Sequence, residues 1–135
     1  MTNCSEFPTG RCPAVRVVMM PKDTNAAGTI FGGVIVSHID LAAAVEGHKH
    51  HEGKLVTVAM DEITFRQPVH VGDVVSCFTE TLKVGRTSVR VGVHVWSESR
   101  FGSVDRRLVT EAVVTMVAVD DDGKSIPLSN PQPEE

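Results

Sequence analysis

The sequence predicts an α+β domain, with one long buried helix lying on an antiparallel sheet of about five strands. Three observations carry this expectation. From Val34 to Val45 the only strongly polar side chains are Ser37, His38 and Asp40, so Ile30–His48 reads as a helix apolar nearly all round, which belongs in an interior. One short β-branched run precedes that helix and four strand-like runs follow it. The 135 residues fit a single domain, and 41% hydrophobic with 22% charged residues is the balance of a globular chain with a core.

Residues 1–13 are rich in Pro, Gly, Ser and Thr without periodicity and are expected to form a loose tail. Ala14–Met20 is a strand that Pro21 ends. Lys22–Thr29 is a loop in which Asp23, Thr24 and Asn25 can bond the backbone locally. The helix opens near Gly32-Gly33 and stops near Gly47, followed by the polar turn His48-Lys49-His50-His51-Glu52-Gly53. In Lys54–Arg66 the apolar parity changes from Val56, Val58 and Met60 to Ile63 and Phe65, which predicts a β-bulge at Asp61-Glu62. Val74–Val84 is the next strand, and Gly85-Arg86 occupies a hairpin turn. Val89, Val91, Val93 and Val95 then alternate with Arg90, Gly92, His94 and Trp96, so one face is core and the other is not. A loop containing the turn-prone Phe101-Gly102-Ser103 leads to Leu108–Val119, apolar on both parities as in a strand covered on both faces. Asp120–Gly123 is a turn, and Ser125–Glu135 is expected to be disordered.

A net charge of −4 offers no basic footprint for a nucleic acid, so no such partner is expected. The three cysteines, Cys4, Cys12 and Cys77, form no disulfide or zinc pattern and are expected as reduced thiols. The first residues lack the apolar segment of a signal peptide, and no run approaches the ~20 apolar residues of a membrane span. A cytoplasmic protein without a membrane partner is the expectation. The histidine cluster lacks ligand spacing and reads as solvated, and Asp120–Gly123 is too short for a calcium loop, so no metal is expected.

Asp40 is the first candidate for chemistry, because a carboxylate on an apolar helix sits where burial is costly and basicity rises. Gly32 and Gly33 fit two readings: bare amides open to an anionic or polarised group, or close packing against a sheet. Asn25 fits a water-orienting amide or a turn residue. Ser37 shares a helix face with Asp40 and can bond either the carboxylate or the helix backbone. Gly85, Arg86, Thr87 and Ser88 offer charge, hydroxyls and turn amides to a phosphate, or form an ordinary hairpin. Arg66, Lys83 and Arg90 are weaker candidates. No G-x-S-x-G elbow or Ser-His-Asp order is present, which argues against an acyl-serine route.

Four ordered blocks carry a family resemblance. They are MPKDTNAAGTIFGGVIVSHID (Met20–Asp40), VTVAMDEITFRQPVHVGDVV (Val56–Val75), LKVGRTSVRV (Leu82–Val91) and TEAVVTMVAVDDDGK (Thr110–Lys124). Over residues 14–127 the chain resembles bacterial acyl-CoA thioesterases of the YciA type, which have the hotdog fold. The resemblance implies one hotdog domain at 14–127, a helix wrapped by the sheet, and flexible tails at 1–13 and 128–135. It implies hydrolysis of acyl-CoA to a carboxylic acid and coenzyme A, which enters as part of the substrate, with no separate cofactor. Asp40 then matches the nucleophile or general base, Gly32 and Gly33 the amides that polarise the thioester carbonyl, and Asn25 the residue that positions substrate or water. Family members are dimers, so Asp40 would face Asn25 and Gly32 of the neighbouring chain, and many assemble further into hexamers as trimers of dimers. Thr29 departs from the family, where an acidic residue is common. A non-catalytic acyl-CoA-binding sensor on the same fold is the alternative. A dehydratase would want a histidine where Phe31 stands.

Overall fold

Strand β1 (Val15–Val18) leads through a 3-10 turn, Pro21–Asp23, to helix α1 (Gly32–Gly47). Four strands follow: β2 (Leu55–Phe65), β3 (Val74–Val84), β4 (Ser88–Glu98) and β5 (Arg106–Ala118). The structure is a computed structural model and describes residues 6–101 and 105–130. All pairings are antiparallel in the order β1-β3-β4-β5-β2, so β2 and β1 are the sheet edges. The helix and β3 coincide with their predicted extents. The turn expected at Gly102-Ser103 lies outside the described residues.

One face of the helix, Ile35, Ile39, Ala42, Ala43, Glu46 and Gly47, presses onto the sheet. Small residues bring it close: a Cβ on Gly47 would stand 2.9 Å from Leu55 Cδ1. The facing sheet surface is the predicted valine row, and the register joins like to like, Val91 opposite Val114 and Val93 opposite Ala112. Cys77 lies in the same surface, and burial pushes its thiol up to about 12. It packs as a small apolar side chain.

The predicted bulge in β2 is present. The register shifts between Asp61 and Thr64, and Glu62 takes a φ of +54°, the left-handed region that a side chain rarely adopts. A second shift falls between Thr57 and Ala59.

Several expectations are corrected. On β4, Gly92, His94 and Trp96 do face away from the helix, but they are buried. The N-terminal segment covers them and is not a loose tail over its described part. Phe7 meets Phe78 and Trp96 edge-on at 5.4 and 5.6 Å, and Arg11 donates to the Thr79 carbonyl at 2.8 Å. The other end is also docked through residue 130. Ile126 N–H bonds the Ala118 carbonyl, Leu128 N–H bonds that of Arg86, and the Leu128 side chain is buried. An apolar residue spaced to reach the sheet outweighs the polar composition around it. The chain therefore packs beyond both expected limits, 14 and 127.

The histidine cluster is solvated only in part, at His48. His50 and His51 are buried, with Ser129 N–H donating to His51 Nδ1 at 3.1 Å. His50 Nε2 lies 2.9 Å from the Thr81 hydroxyl, whose proton goes to Glu46 Oε2 at 2.6 Å, so the imidazole nitrogen is the donor to Thr81. Thr79 and Lys49 each reach Glu46 Oε1 at 2.9 Å. Glu46, 4% exposed, is the deeply buried carboxylate of this helix.

Burial alone would raise the Glu46 pKa, yet the bonds from Thr81, Lys49 and Thr79 outweigh it and hold the group below its ordinary 4.5. A depressed folded pKa stabilises the fold above the unfolded value, and that contribution is lost as pH falls below 4.5 through the folded value. Thermal melts of Glu46→Gln at neutral pH should show a loss of about 1.5–3 kcal/mol, the range for bonds to a charged group. The gap to wild type should close progressively as the buffer is taken below pH 4.5. A gap that stays constant into acid would show that the charge contributes nothing.

Candidate active site

Asp40 lies on the flank of α1 that faces the edge strand β2, and it is half-buried. The expectation of a carboxylate sealed in an apolar interior is corrected. A helix apolar nearly all round has two apolar faces, and this chain covers one of them. Leu41 and Val45 remain 57% and 54% exposed. The Thr57 hydroxyl donates to Asp40 Oδ1 at 2.5 Å, a short bond of the kind a charged acceptor makes. Thr57 is the site residue that sequence reasoning missed. Its signal was a polar residue at the start of β2 on the inward parity, opposite Met116, but nothing in the spacing linked it to Asp40. Ser37 donates to the Val34 carbonyl at 2.7 Å, which settles its two readings in favour of the helix backbone.

At the other end of the helix Phe31 is the N-cap and supplies no side-chain bond, while Val34 N–H closes the first turn on the Phe31 carbonyl at 2.9 Å. The Gly32 and Gly33 amides are therefore first-turn donors that intrahelical bonding leaves open. Close packing against the sheet is not what the pair provides, since Gly33 meets only the exposed ring of Phe31 and Gly32 meets Phe65 at an ordinary contact distance. A Cβ on Gly33 would stand 2.6 Å from the Phe31 ring, and one on Gly32 would stand 3.6 Å from the Phe65 ring. Beside Gly32, between the helix start and the end of β2, lies a cavity of about 350 Å³.

Asn25 organises its own loop. Its Oδ1 accepts from the backbone amides of Ala27 at 2.9 Å and Thr29 at 3.2 Å, and its Nδ2 donates to the Thr29 hydroxyl at 3.0 Å. The turn reading of Asn25 is thus present, with Thr29 as its partner. One N–H of Nδ2 remains beyond these bonds, since an amide nitrogen carries two.

The structure does not bring Asp40 and Gly32 of one chain together. Eight residues of helix separate them by ~12 Å, whereas a reacting carbonyl needs its attacking group and oxyanion donors each within ~3 Å.

The turn Gly85-Arg86-Thr87-Ser88 is closed by Gly85 N–H to the Ser88 carbonyl at 2.8 Å and braced by Ala118 and Leu128, whose amides bond the carbonyls of Thr87 and Arg86. Arg86 is exposed, and among the described residues its guanidinium has no hydrogen bond or ion pair. The weaker candidates differ. Arg66 donates to Glu111 at 2.7 Å, and Arg90 lies 3.8 Å from both Asp61 and Glu62, while Lys83 is exposed. The turn stands near Asp40 within one chain: Thr57 pairs with Met116 and Met116 with Val89, so Asp40's partner sits ~10 Å, two strand spacings, from the residue after Ser88. Among the described residues no group of three His, Cys, Asp or Glu is placed to hold a metal ion.

Comparison with known proteins agrees with this architecture. A family model for the thioesterase superfamily matches residues 27–100. The chain is 44% identical over 122 residues to an uncharacterized acyl-CoA thioester hydrolase of Haemophilus influenzae, covering 87% of this chain and 79% of that one. It is 40% identical over 130 residues to the acyl-CoA thioester hydrolase YciA of Salmonella typhimurium, covering 95% and 97%. Among solved structures, a hexameric hotdog-fold thioesterase of Campylobacter jejuni superposes with a TM-score of 0.84 at 42% identity, over 88% of this chain and 91% of that one. A hexameric thioesterase of Yersinia pestis gives 0.83 at 41% identity, over 93% and 100%. With the helix held against a five-stranded sheet and identity of this level over most of its length, the chain belongs to the thioesterase superfamily, as a hotdog-fold member of the YciA type.

Proposed function

We propose that the chain hydrolyses acyl-CoA thioesters to a carboxylic acid and free coenzyme A, at sites shared between two copies of itself. The observation that carries this reading is Asp40, held by the Thr57 hydroxyl at 2.5 Å on a helix flank that its own chain leaves open. A carboxylate fixed in one rotamer beside an apolar surface is suited to take a proton from water or to attack a carbonyl.

In the general-base form, Asp40 removes a proton as water adds to the thioester carbon. The carbonyl oxygen, now negative, is received by the Gly32 and Gly33 amides of the neighbouring chain. The carbon–sulfur bond then breaks, and the coenzyme A sulfur leaves with the proton Asp40 took. In the nucleophilic form, Asp40 itself joins the acyl carbon, the thiolate leaves, and water then cleaves the anhydride. Single turnover in isotopically labelled water tests for the second, since only attack of water on the aspartyl carbon of the anhydride places the label in Asp40. The remaining N–H of Asn25 is assigned to substrate or water, and Gly85–Ser88 with Arg86 to the coenzyme A phosphates.

The sharing of sites rests on geometry and exposed surface. One chain holds Asp40 and Gly32 ~12 Å apart. Leu41 and Val45 are exposed on the outer side of the helix, and Val58 and Phe65 of edge strand β2 are 56% and 53% exposed. Exposed apolar side chains together with an unpaired strand edge are surface that a second copy can cover. The dimer is assigned there, and further assembly into a hexamer, as a trimer of dimers, follows the hexameric relatives. Coenzyme A enters as part of the substrate and no separate cofactor is invoked. The cytoplasm, where acyl-CoA is available and the thiols of Cys12 and Cys77 stay free, is the proposed location, with no nucleic-acid or membrane partner.

Free-thiol release from a panel of acyl-CoAs is the direct test. Asp40→Asn should lower kcat on the order of 10²–10⁴-fold, the usual contribution of a positioned base, while acyl-CoA still binds. Full activity in that variant would sink the assignment, and tight binding by wild type without thiol release would favour a sensor.

Thr57 acts through Asp40, so Thr57→Val should lower kcat about tenfold at unchanged KM, the effect of one hydrogen bond, with Thr57→Ser restoring it. Arg86→Ala should instead raise KM about tenfold and leave kcat within about twofold, since a phosphate contact is uniform binding. An equal fall in kcat for both variants would contradict this division of roles.

A further inference from the structure

Residues 126–130 are fastened along the molecule rather than trailing from it. Three consecutive amides donate to the body: Leu128 N–H to the Arg86 carbonyl at 2.9 Å, Ser129 N–H to His51 Nδ1 at 3.1 Å and Asn130 N–H to the His50 carbonyl at 3.0 Å. The Ser129 hydroxyl accepts from the Glu52 amide at 2.8 Å, and Asn130 Nδ2 donates to the Lys49 carbonyl at 3.1 Å. Leu128 is the anchor, 4% exposed between the exposed Pro127 and Ser129. Fixing this backbone costs conformational entropy, which the bonds and the buried leucine offset. The segment ties two places together. One is the turn that follows the helix carrying Asp40, a helix end already held to β3 where Thr79 and Thr81 donate to Glu46. The other is the peptide between Arg86 and Thr87, the central peptide of the turn at 85–88.

We infer that residues 126–130 are a positioning clasp for the phosphate site, in which the Leu128 N–H sets the Arg86–Thr87 peptide and so aims the Thr87 amide and the Arg86 guanidinium at the coenzyme A phosphates. This role rests on the proposed reading of Gly85–Ser88 as the phosphate site and names what fixes that site's shape. The central peptide of such a turn has two orientations, which distinguish one turn type from another. In a trans peptide the carbonyl and the N–H point in opposite directions, so a carbonyl held toward Leu128 aims the Thr87 N–H away from it. Among the described residues neither that amide nor the Arg86 guanidinium has a hydrogen bond, so both are open donors on one turn. The flipped peptide would offer a carbonyl oxygen in place of the N–H, and an anion is repelled there rather than held. Leu128 acts through Arg86 and Thr87, and it is a positioning residue.

The test is thiol release by the full-length chain from butyryl-CoA and from S-butyrylpantetheine, which carries the same thioester and none of the phosphates. The quantity read is the ratio of kcat/KM for the first over the second. Leu128→Pro deletes the one N–H and keeps an apolar side chain. It should lower the ratio about fivefold, the effect of one hydrogen bond, by raising KM for butyryl-CoA with kcat within about twofold. Leu128→Met, which keeps both amide and anchor, should retain the wild-type ratio. An unchanged ratio in Leu128→Pro, or an equal loss on both substrates, would show that the segment serves the fold alone and overturn its positioning role. If Leu128→Pro does not fold, Leu128→Ala decides by the same ratio, since it keeps the amide and loses the buried anchor. Arg86→Ala, measured in parallel, separates this role from the phosphate site it serves. A ratio that falls about tenfold in Arg86→Ala and not in Leu128→Pro upholds the site and overturns the clasp, while a ratio that neither variant moves overturns both. Absence of thiol release from both substrates in wild type would refute hydrolysis and not the clasp. Affinities for coenzyme A and for pantetheine then replace KM: a loss for coenzyme A alone in Leu128→Pro upholds the clasp, and an equal loss or none overturns it.

Discussion

Everything in this molecule follows from how α1 is buried. Ile35, Ile39, Ala42 and Ala43 set the helix onto the inward valines of β4 and their partners on β5, and Gly47 lets it descend until the Leu55 methyl is nearly in contact with the backbone. That packing uses one face only. A second apolar side of the helix, with Leu41 and Val45, is left exposed by the chain. A single copy leaves this surface in water, and it is part of the surface the proposed assembly covers.

The same constraint divides the chemistry. Asp40 and the Gly32 amide are on one rigid helix, so no loop movement within a chain closes the ~12 Å between them. In the proposed shared site, a second helix supplies the complementary end. Rigid placement of this kind suits catalysis, because donors and base are positioned before the reaction begins. Thr57 contributes to it by reaching from β2 to the carboxylate.

Buried polar groups show how the rest of the core tolerates charge. Glu46 is satisfied by two threonines and a lysine, and Asp73 by the His70 amide, Ser97 and Arg107. Neither carboxylate faces the open flank. They pin the helix end to β3 and the β3 start to β4 and β5, which is the structural use of a paired buried charge. The contrast with Asp40 is physical: a carboxylate saturated by donors is fixed in place, whereas one held by a single hydroxyl keeps acceptor capacity for a reaction.

Much of the fold was legible in the sequence because it rests on local periodicity. The alternating valines of β4, the parity change in β2 and the apolar run of α1 are each readable within a dozen residues, and the bulge at Glu62 and the helix ends at Gly32 and Gly47 appeared where expected. Asp40 stood out as a candidate for the same reason, as one carboxylate in an apolar run. Tertiary structure alone decided its surroundings: that it is half-open rather than sealed, that Thr57 is its partner and Ser37 is not, and that Glu46 is the carboxylate truly buried. It also decided that Phe7 and Leu128, set in polar segments, belong to the packed body, and that His50 and His51 are buried. Periodicity reports which face a residue takes, but which distant element meets that face, or leaves it bare, depends on the path of the whole chain.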